Sequence, residues 1–413
     1  MRGISGIVVW DKKKGCNLKS LSDVANLIEG QPMFKLLAQV QELERAGRDI
    51  VHFEIGDPDF DTPKHIVAAA CLSMITGETH YTSSYGIFDL RQVACKTTAI
   101  SRGFLPSINQ VLITPGANIA IYYAVRCLVN PGEEIIVPDP GFPTYYSAIK
   151  FCGAVPVRVP LKESNSFRMS PKDIEERITP KTRLIIINSP HNPTGSVMTP
   201  DEIDQVATIA EKHDIYLYSD EVYSRMIFDD SGPFRSPSIR DHCKERTIVA
   251  NGFSKAFAMT GWRLGCLIGP EKVIEKMSLL LQTTSSCVPP FIQRAGIAAI
   301  EGDQKPIFEM MSEYSKRRDL LVSELNTLPG VSCIKPGGAF YVFPNIEKTG
   351  FSSEEFASYI LEEAGVALLP GTNFGEYGAG YVRMCYANSQ ANIVKGVQKM
   401  KKALLKLTKG KEV

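Results

Sequence analysis

No two cysteines of this sequence stand at Cys-x-x-Cys spacing, although there are 10 of them. His242 lies beside Cys243, but no further cysteine is near enough to complete a metal-ligand set. The scattered thiols are therefore expected to be reduced core residues of a cytoplasmic protein, with no metal site. Charge of one sign is missing as well: 46 Lys and Arg against 45 Asp and Glu leave a net charge of +1. That balance points away from nucleic acid and from anionic membranes. No apolar run is long enough to span a bilayer. Ile4 to Trp10 is apolar but short, and Asp11-Lys12-Lys13-Lys14 follows it on the wrong side for a secretory signal. It reads equally as a tail or as an arm on a partner subunit.

What is present is the composition of a soluble enzyme, with 44% hydrophobic and 22% charged residues. At 413 residues the chain predicts two or three domains. Gln31 to Gly47 predicts a helix with Phe34, Leu37, Ala38, Val40 and Leu43 as its apolar stripe and Gly47 as its stop. Val51, Phe53 and Ile55 alternate like a strand before the turn Gly56-Asp57-Pro58. Short apolar runs then alternate with helical patterns, which is the signature of a parallel sheet. The runs are Val111–Thr114, Ile135–Val137, Leu184–Ile187, Ile215–Tyr218 and Thr247–Ala250. Thr199-Pro200-Asp201-Glu202 has the Thr N-cap, first-position proline and N3 glutamate that open a helix. Ile203, Val206, Ala207 and Ala210 supply its buried face.

The chemistry concentrates where these strands end. NGFSKAFAMTGWRLG, Asn251 to Gly265, follows a buried strand and carries Lys255 and, eight residues on, Arg263. A lysine at the mouth of an α/β sheet can form a Schiff base with an aldehyde, and a planar guanidinium can hold a phosphate. Those two groups suit pyridoxal 5'-phosphate (PLP). Pro115-Gly116-Ala117-Asn118 leads from a strand into a helix, and such a turn offers free N–H groups to an anion. Asp220 ends another strand, where the ligand crevice of an open α/β sheet lies. A carboxylate there can keep a pyridinium nitrogen protonated. His213 is expected to be a helix C-terminal cation.

The lysine segment resembles the cofactor-lysine motif of the class I/II aminotransferases, PLP enzymes of fold type I. The resemblance runs from about Gln31 to Leu407. It implies an α/β fold with a three-layer large domain on a mainly parallel sheet, plus a smaller α+β domain. The implied division is residues 1–62 with the small domain, 63–294 as the PLP-binding domain, and 295–413 as the C-terminal small domain. It implies that Lys255 is the catalytic lysine, with Asp220 on the ring nitrogen and Asn192 and Tyr223 on the ring oxygen. Arg263, Ser254, Gly116, Ala117 and Asn118 would surround the phosphate end, and Phe142 would stack on the ring. Tyr81, in the run Tyr81 to Arg91, would reach the phosphate of the partner subunit. That implies a homodimer with shared active sites. Gly56, Asn192, Arg383 and Phe340 would meet the substrate, with Arg383 on its α-carboxylate. The strand Pro336–Tyr341, the loop Leu369–Thr372 and the strand Tyr381–Tyr386 would carry those last groups.

The implied activity is transfer of the α-amino group of an L-amino acid to a 2-oxo acid, with 2-oxoglutarate expected as acceptor. A PLP-dependent C–S β-lyase of the same fold is the alternative. A PLP-sensing regulator is a further one, but it needs a basic helix-turn-helix ahead of Gln31, and no such pattern stands there. Asn118 occupies the position where aspartate-using relatives of this subgroup carry a lysine. Tyr85, Phe142, Phe340 and Tyr341 suggest an apolar pocket, hence neutral or aromatic donors over aspartate.

Overall fold

The computed structural model describes residues 19–26, 28 and 30–409. The apolar segment Ile4 to Trp10 and Lys411 lie outside them.

Twelve short strands lie along the described chain in three sheets. The central sheet has seven: β2 (Val111–Thr114), β3 (Glu134–Asp139), β4 (Val155–Pro160), β5 (Thr182–Asn188), β6 (Tyr216–Asp220), β7 (Thr247–Gly252) and β8 (Gly265–Ile268). Their order is β2-β8-β7-β6-β5-β3-β4, with β8 alone antiparallel to its neighbours. A parallel sheet is covered on both faces, so its strands are apolar throughout. The pleat sends alternate residues to opposite sides. Ile135, Val137, Leu184 and Ile186 pack on one face with the helices Ala117–Leu128, Pro143–Phe151 and Glu271–Ser285. Ile136, Ile185, Ile187 and Leu217 face the other way, against the helix Pro200–Lys212. Burying each such side chain contributes about 1.5–3 kcal/mol.

The helix Pro200–Lys212 begins as its residues dictate. Thr199 Oγ accepts from the Glu202 amide, and the Glu202 carboxylate accepts from the Thr199 amide. His213 follows as its C-cap.

Two small sheets join distant parts of the chain. β1 (Val51–His52) pairs in parallel with β10 (Val366–Ala367). β12 (Val382–Cys385) lies between β11 (Leu369–Pro370) and β9 (Tyr341–Val342). Residues before 63 therefore share a sheet with residues after 294. The final helix, Gln390–Lys409, buries Val397, Met400, Ala403 and Leu404, so its lysine-rich sequence has one apolar side.

Several elements differ from expectation. Pro336–Tyr341 is not a strand up to Tyr341, because Ala339 takes the left-handed conformation (φ 58°). The amides of Gly337 and Gly338 turn instead to the Gly195 carbonyl. The strand at Val51 lasts two residues, since the Glu54 carbonyl leaves the ladder to accept from Arg383. Leu369–Thr372 is a strand and a 3-10 turn rather than a loop. In the helix Pro32–Arg45, Val40 is buried, with Leu36 and Leu43 packed beside it, whereas Phe34 is 61% exposed.

Candidate active site

The carboxyl ends of β2, β3, β5, β6 and β7 point the same way, and the chain beyond each delivers one wall of a cavity of ≈ 510 Å3. From β6 comes Asp220, 5% exposed. Tyr145 Oη donates to its Oδ2 at 2.6 Å, and the Val222 amide to its Oδ1 at 3.3 Å. Burial raises the Asp220 pKa to about 6, against those two hydrogen bonds, which lower it. A nearby cation would restore the charged form.

From β7 comes Lys255. Its Nζ donates to the Gly56 carbonyl at 2.6 Å and stands 5.5 Å from the centre of the Phe340 ring. Burial lowers its pKa to about 8, so its neutral amine is accessible near physiological pH. Ser254 also lines the cavity.

β2 leads into the corner of the cavity where Arg263 stands. Gly116 (φ 85°) caps the helix Ala117–Leu128, and a Cβ there would lie 2.3 Å from Arg263 Nη2. Only glycine lets the guanidinium lie against the turn. Arg263 is itself left-handed (φ 54°), with Nη1 donating to the Thr260 carbonyl at 2.9 Å. The Ala117 and Asn118 end of the helix has free N–H groups and the positive end of the macrodipole.

From β5 come Asn188 and Asn192. Asn188 Nδ2 donates to the Asp220 carbonyl at 3.0 Å, and its Oδ1 accepts from the Asn192 amide at 2.9 Å. Asn192 Oδ1 accepts from Arg383 Nη1 at 3.2 Å. Arg383 is 1% exposed and lies between the rings of Tyr341 (4.6 Å) and Phe374 (4.8 Å). Its Nη2 donates to the Glu54 carbonyl, while its buried Nε has no partner. A buried donor without an acceptor is costly, so this guanidinium is set up for an anion. Tyr223 closes this side, its hydroxyl 2.9 Å from that of Tyr341. Gly56 approaches closely here: a Cβ would lie 2.0 Å from Tyr341 Oη.

An amine, a buried carboxylate across the cavity, a guanidinium beside a helix N-terminus and a second guanidinium with a free donor form one donor set. It fits PLP and an amino acid: amine for aldehyde, carboxylate for ring nitrogen, helix end for phosphate, remaining arginine for the substrate carboxylate.

Residues 48–400 match the family model for aminotransferase class I and II. The chain belongs to that family. An aspartate aminotransferase of Pyrococcus horikoshii is 42% identical over 89% of this chain and 94% of its own. An aromatic-amino-acid aminotransferase 2 of Thermococcus litoralis is 39% identical over 93% of this chain and 98% of its own. A solved aspartate aminotransferase of Thermus thermophilus with maleate superposes with a TM-score of 0.89, at 32% identity, over 94% of this chain and all of that one. This aminotransferase is thus a PLP-dependent enzyme of the aspartate and aromatic aminotransferase fold, α/β with a mostly parallel seven-stranded sheet.

The structure brings Gly56, Ala117, Asn118, Phe142, Asn192, Asp220, Tyr223, Ser254, Lys255, Arg263 and Arg383 into one cavity wall. Gly116 lies directly behind Arg263. Phe340 does not line the cavity. Fully buried, it packs edge-on against Tyr223, and its neighbour Tyr341 takes the facing position. Ala339, just before the pair, is left-handed. Tyr81 is 88% exposed and Tyr85 lies over by Arg91, so neither joins this chain's cavity.

Three contributors were not expected from the sequence. Tyr145, one turn beyond Phe142, holds Asp220. Asn188, the last residue of β5, braces Asn192. Glu54 is buried and accepts from His52 Nδ1 at 2.7 Å, and that hydrogen bond raises the His52 pKa to about 9. An asparagine at the carboxyl end of a strand was the available signal for Asn188; Tyr145 lies inside the helix Pro143–Phe151 and carried none. Met33 and Phe34 also border the cavity, on the helix Pro32–Arg45.

Proposed function

We propose that this aminotransferase takes neutral or aromatic L-amino acids as its preferred donors, with a 2-oxo acid such as 2-oxoglutarate as acceptor. The single observation that carries this is the set of cations in the cavity. Among the described residues these are Lys255, Arg263 and Arg383, and each has another task. Asn118 stands near Arg263 with no charge to offer a distal carboxylate. Ile55, Met33, Phe34 and Tyr341 give an apolar lining. A panel of donors at fixed 2-oxoglutarate, compared by kcat/KM, tests it. Phenylalanine, tyrosine or a neutral aliphatic donor is expected to lead. Aspartate with the largest kcat/KM would overturn the proposal.

PLP, when bound, supplies an aldehyde for the amino group and a ring that accepts electrons from the α-carbon. The residues then divide the work. Lys255 Nζ takes the proton from the substrate α-carbon. Asp220, braced by Tyr145, would hold a proton on the ring nitrogen. Asn192 and Tyr223 would donate to the ring oxygen. Arg263 and the Gly116 turn would hold the phosphate, and Phe142 would lie against the ring. Arg383 orients the substrate through its α-carboxylate. A C–S β-lyase could be built from the same groups; the aminotransferase relatives favour amino transfer.

We also propose a cytoplasmic homodimer in which Tyr81 serves the partner's cavity. Its 88% exposure supports this. A tyrosine ring left in water gains nothing from its apolar area. The nine described cysteines are free, which suits a reducing compartment. Inactive Lys255→Ala subunits mixed with impaired Tyr81→Ala subunits are expected to regain activity, because one of the two hybrid sites is intact. Demonstrated heterodimers without recovery would argue against the shared site.

A further inference from the structure

A second cavity lies behind the wall of the active site. Its volume of ≈ 430 Å3 falls within the range of roughly 300–1,000 Å3 usual for small-ligand sites. It is bounded by the far face of β2, β7 and β8 and by the helix Phe88–Arg102. Val222 and Gly252 line both cavities, so the partition is one residue thick. The Val222 amide donates to Asp220 Oδ1 at 3.3 Å, which puts this second space next to the carboxylate of the active site.

Most of its lining is apolar, including Ile113, Ile268 and the rings of Phe234, Phe253 and Phe257. The lining has room because small residues, Ala94 and Thr98, stand where the helix crosses it. Two guanidinium groups interrupt it. The Arg102 side chain is only 7% exposed, and it pairs with Glu221, which is 1% exposed. Its Nη1 donates to Ser101 Oγ at 2.8 Å, and its buried Nε has no partner. Glu221 is further occupied by Ser219 Oγ at 3.1 Å and Ser236 Oγ at 2.5 Å. Arg225 is exposed at the cavity's edge, lies over the Phe257 ring at 5.4 Å, and has no ion pair or hydrogen bond among the described residues. Two guanidinium groups and one carboxylate leave one positive charge over. The planar fork of donors on such a group suits a carboxylate.

We propose that this cavity is a second ligand site, taking a small aryl-alkanoate, with the carboxylate on Arg225 and the free Nε of Arg102 and the aromatic body among the phenylalanines. One negative charge matches the excess, and the size and ring-lined walls match the rest. A dicarboxylate has no second cation to meet there.

The test is calorimetric titration of the cofactor-loaded enzyme with 3-phenylpropionate. The Arg383→Ala background is used to weaken binding of the probe's carboxylate in the active site. One probe molecule per chain is expected. Adding Arg225→Met removes the cation and keeps the stem, and Thr98→Phe fills the space. Each is expected to weaken binding by about tenfold or more, equivalent to 1.4 kcal/mol. Arg225 is exposed, so Arg225→Met still reports if Thr98→Phe fails to fold. Absence of saturable binding up to millimolar probe in the Arg383→Ala enzyme overturns the proposal. So does binding that Arg225→Met leaves unchanged. Neither result touches the amino-transfer activity, which is measured separately.

Discussion

Replacing Lys255 by alanine is expected to abolish turnover and the visible absorbance of lysine-linked cofactor. The expectation follows from where its amine stands. Nζ hangs on one hydrogen bond, to the Gly56 carbonyl, with Arg383 and Arg263 both near enough to lower its affinity for a proton. Burial, the largest cause, brings the pKa to about 8. A solvated lysine near 10.5 would be almost wholly protonated at neutral pH and could take no proton. Positioned acid–base groups contribute roughly 100- to 10,000-fold to a rate, and loss of the covalent anchor adds to that. Lys255→Arg is the sharper variant. It keeps a cation in the cavity, but a guanidinium stays charged and cannot act as base. Its activity is expected to be as low as that of Lys255→Ala. Single-turnover rates with the absorbance spectrum of each variant make the comparison. A coloured, active Lys255→Ala protein would return Lys255 to the status of a structural cation.

The central sheet was the most legible part of the chain. Ile135–Val137, Leu184–Ile187 and Thr247–Ala250 are β-branched runs buried on both faces, and nothing local competes with that signal. The Thr199–Glu202 capping box was equally readable, because its bonds link residues three apart. Contacts between distant residues were not. Tyr145 and Asp220 are 75 positions apart, and Arg383 reaches Glu54 across 329. Phe340 and Tyr341 follow a left-handed residue, Ala339, and no propensity predicts such a conformation at alanine. Phe34 counted as stripe by spacing, yet it borders the active-site cavity from the first turn of its helix. The second cavity was invisible for a different reason. It exists because Ala94 and Thr98 are small, and a space between elements leaves no mark on the periodicity of either one.

Arg383→Ala is expected to lower kcat/KM for every donor and every acceptor. All of them share the α-carboxylate, which the proposed function assigns to this arginine. The residue is 1% exposed, lies between two aromatic rings, and keeps a buried Nε without partner. Removing one member of a desolvated charge pair costs about 2–5 kcal/mol. At 1.4 kcal/mol per tenfold, that is about 30- to 4,000-fold. Lysine is expected to rescue poorly. An ammonium is a compact charge that cannot give the carboxylate a planar two-bond fork, and it has no flat face to lie between Tyr341 and Phe374. Cofactor content is expected to hold, because the phosphate corner at Gly116 and Arg263 is built from β2, β7 and the loop beyond it. Kinetics for one neutral donor and one acceptor, with the cofactor content of Arg383→Ala and Arg383→Lys, separate the outcomes. Loss of cofactor together with activity would assign Arg383 to the fold. A drop confined to one donor would mean that it reads side chains. An even drop for donors and acceptors, with cofactor retained, is what a clamp on the shared carboxylate produces.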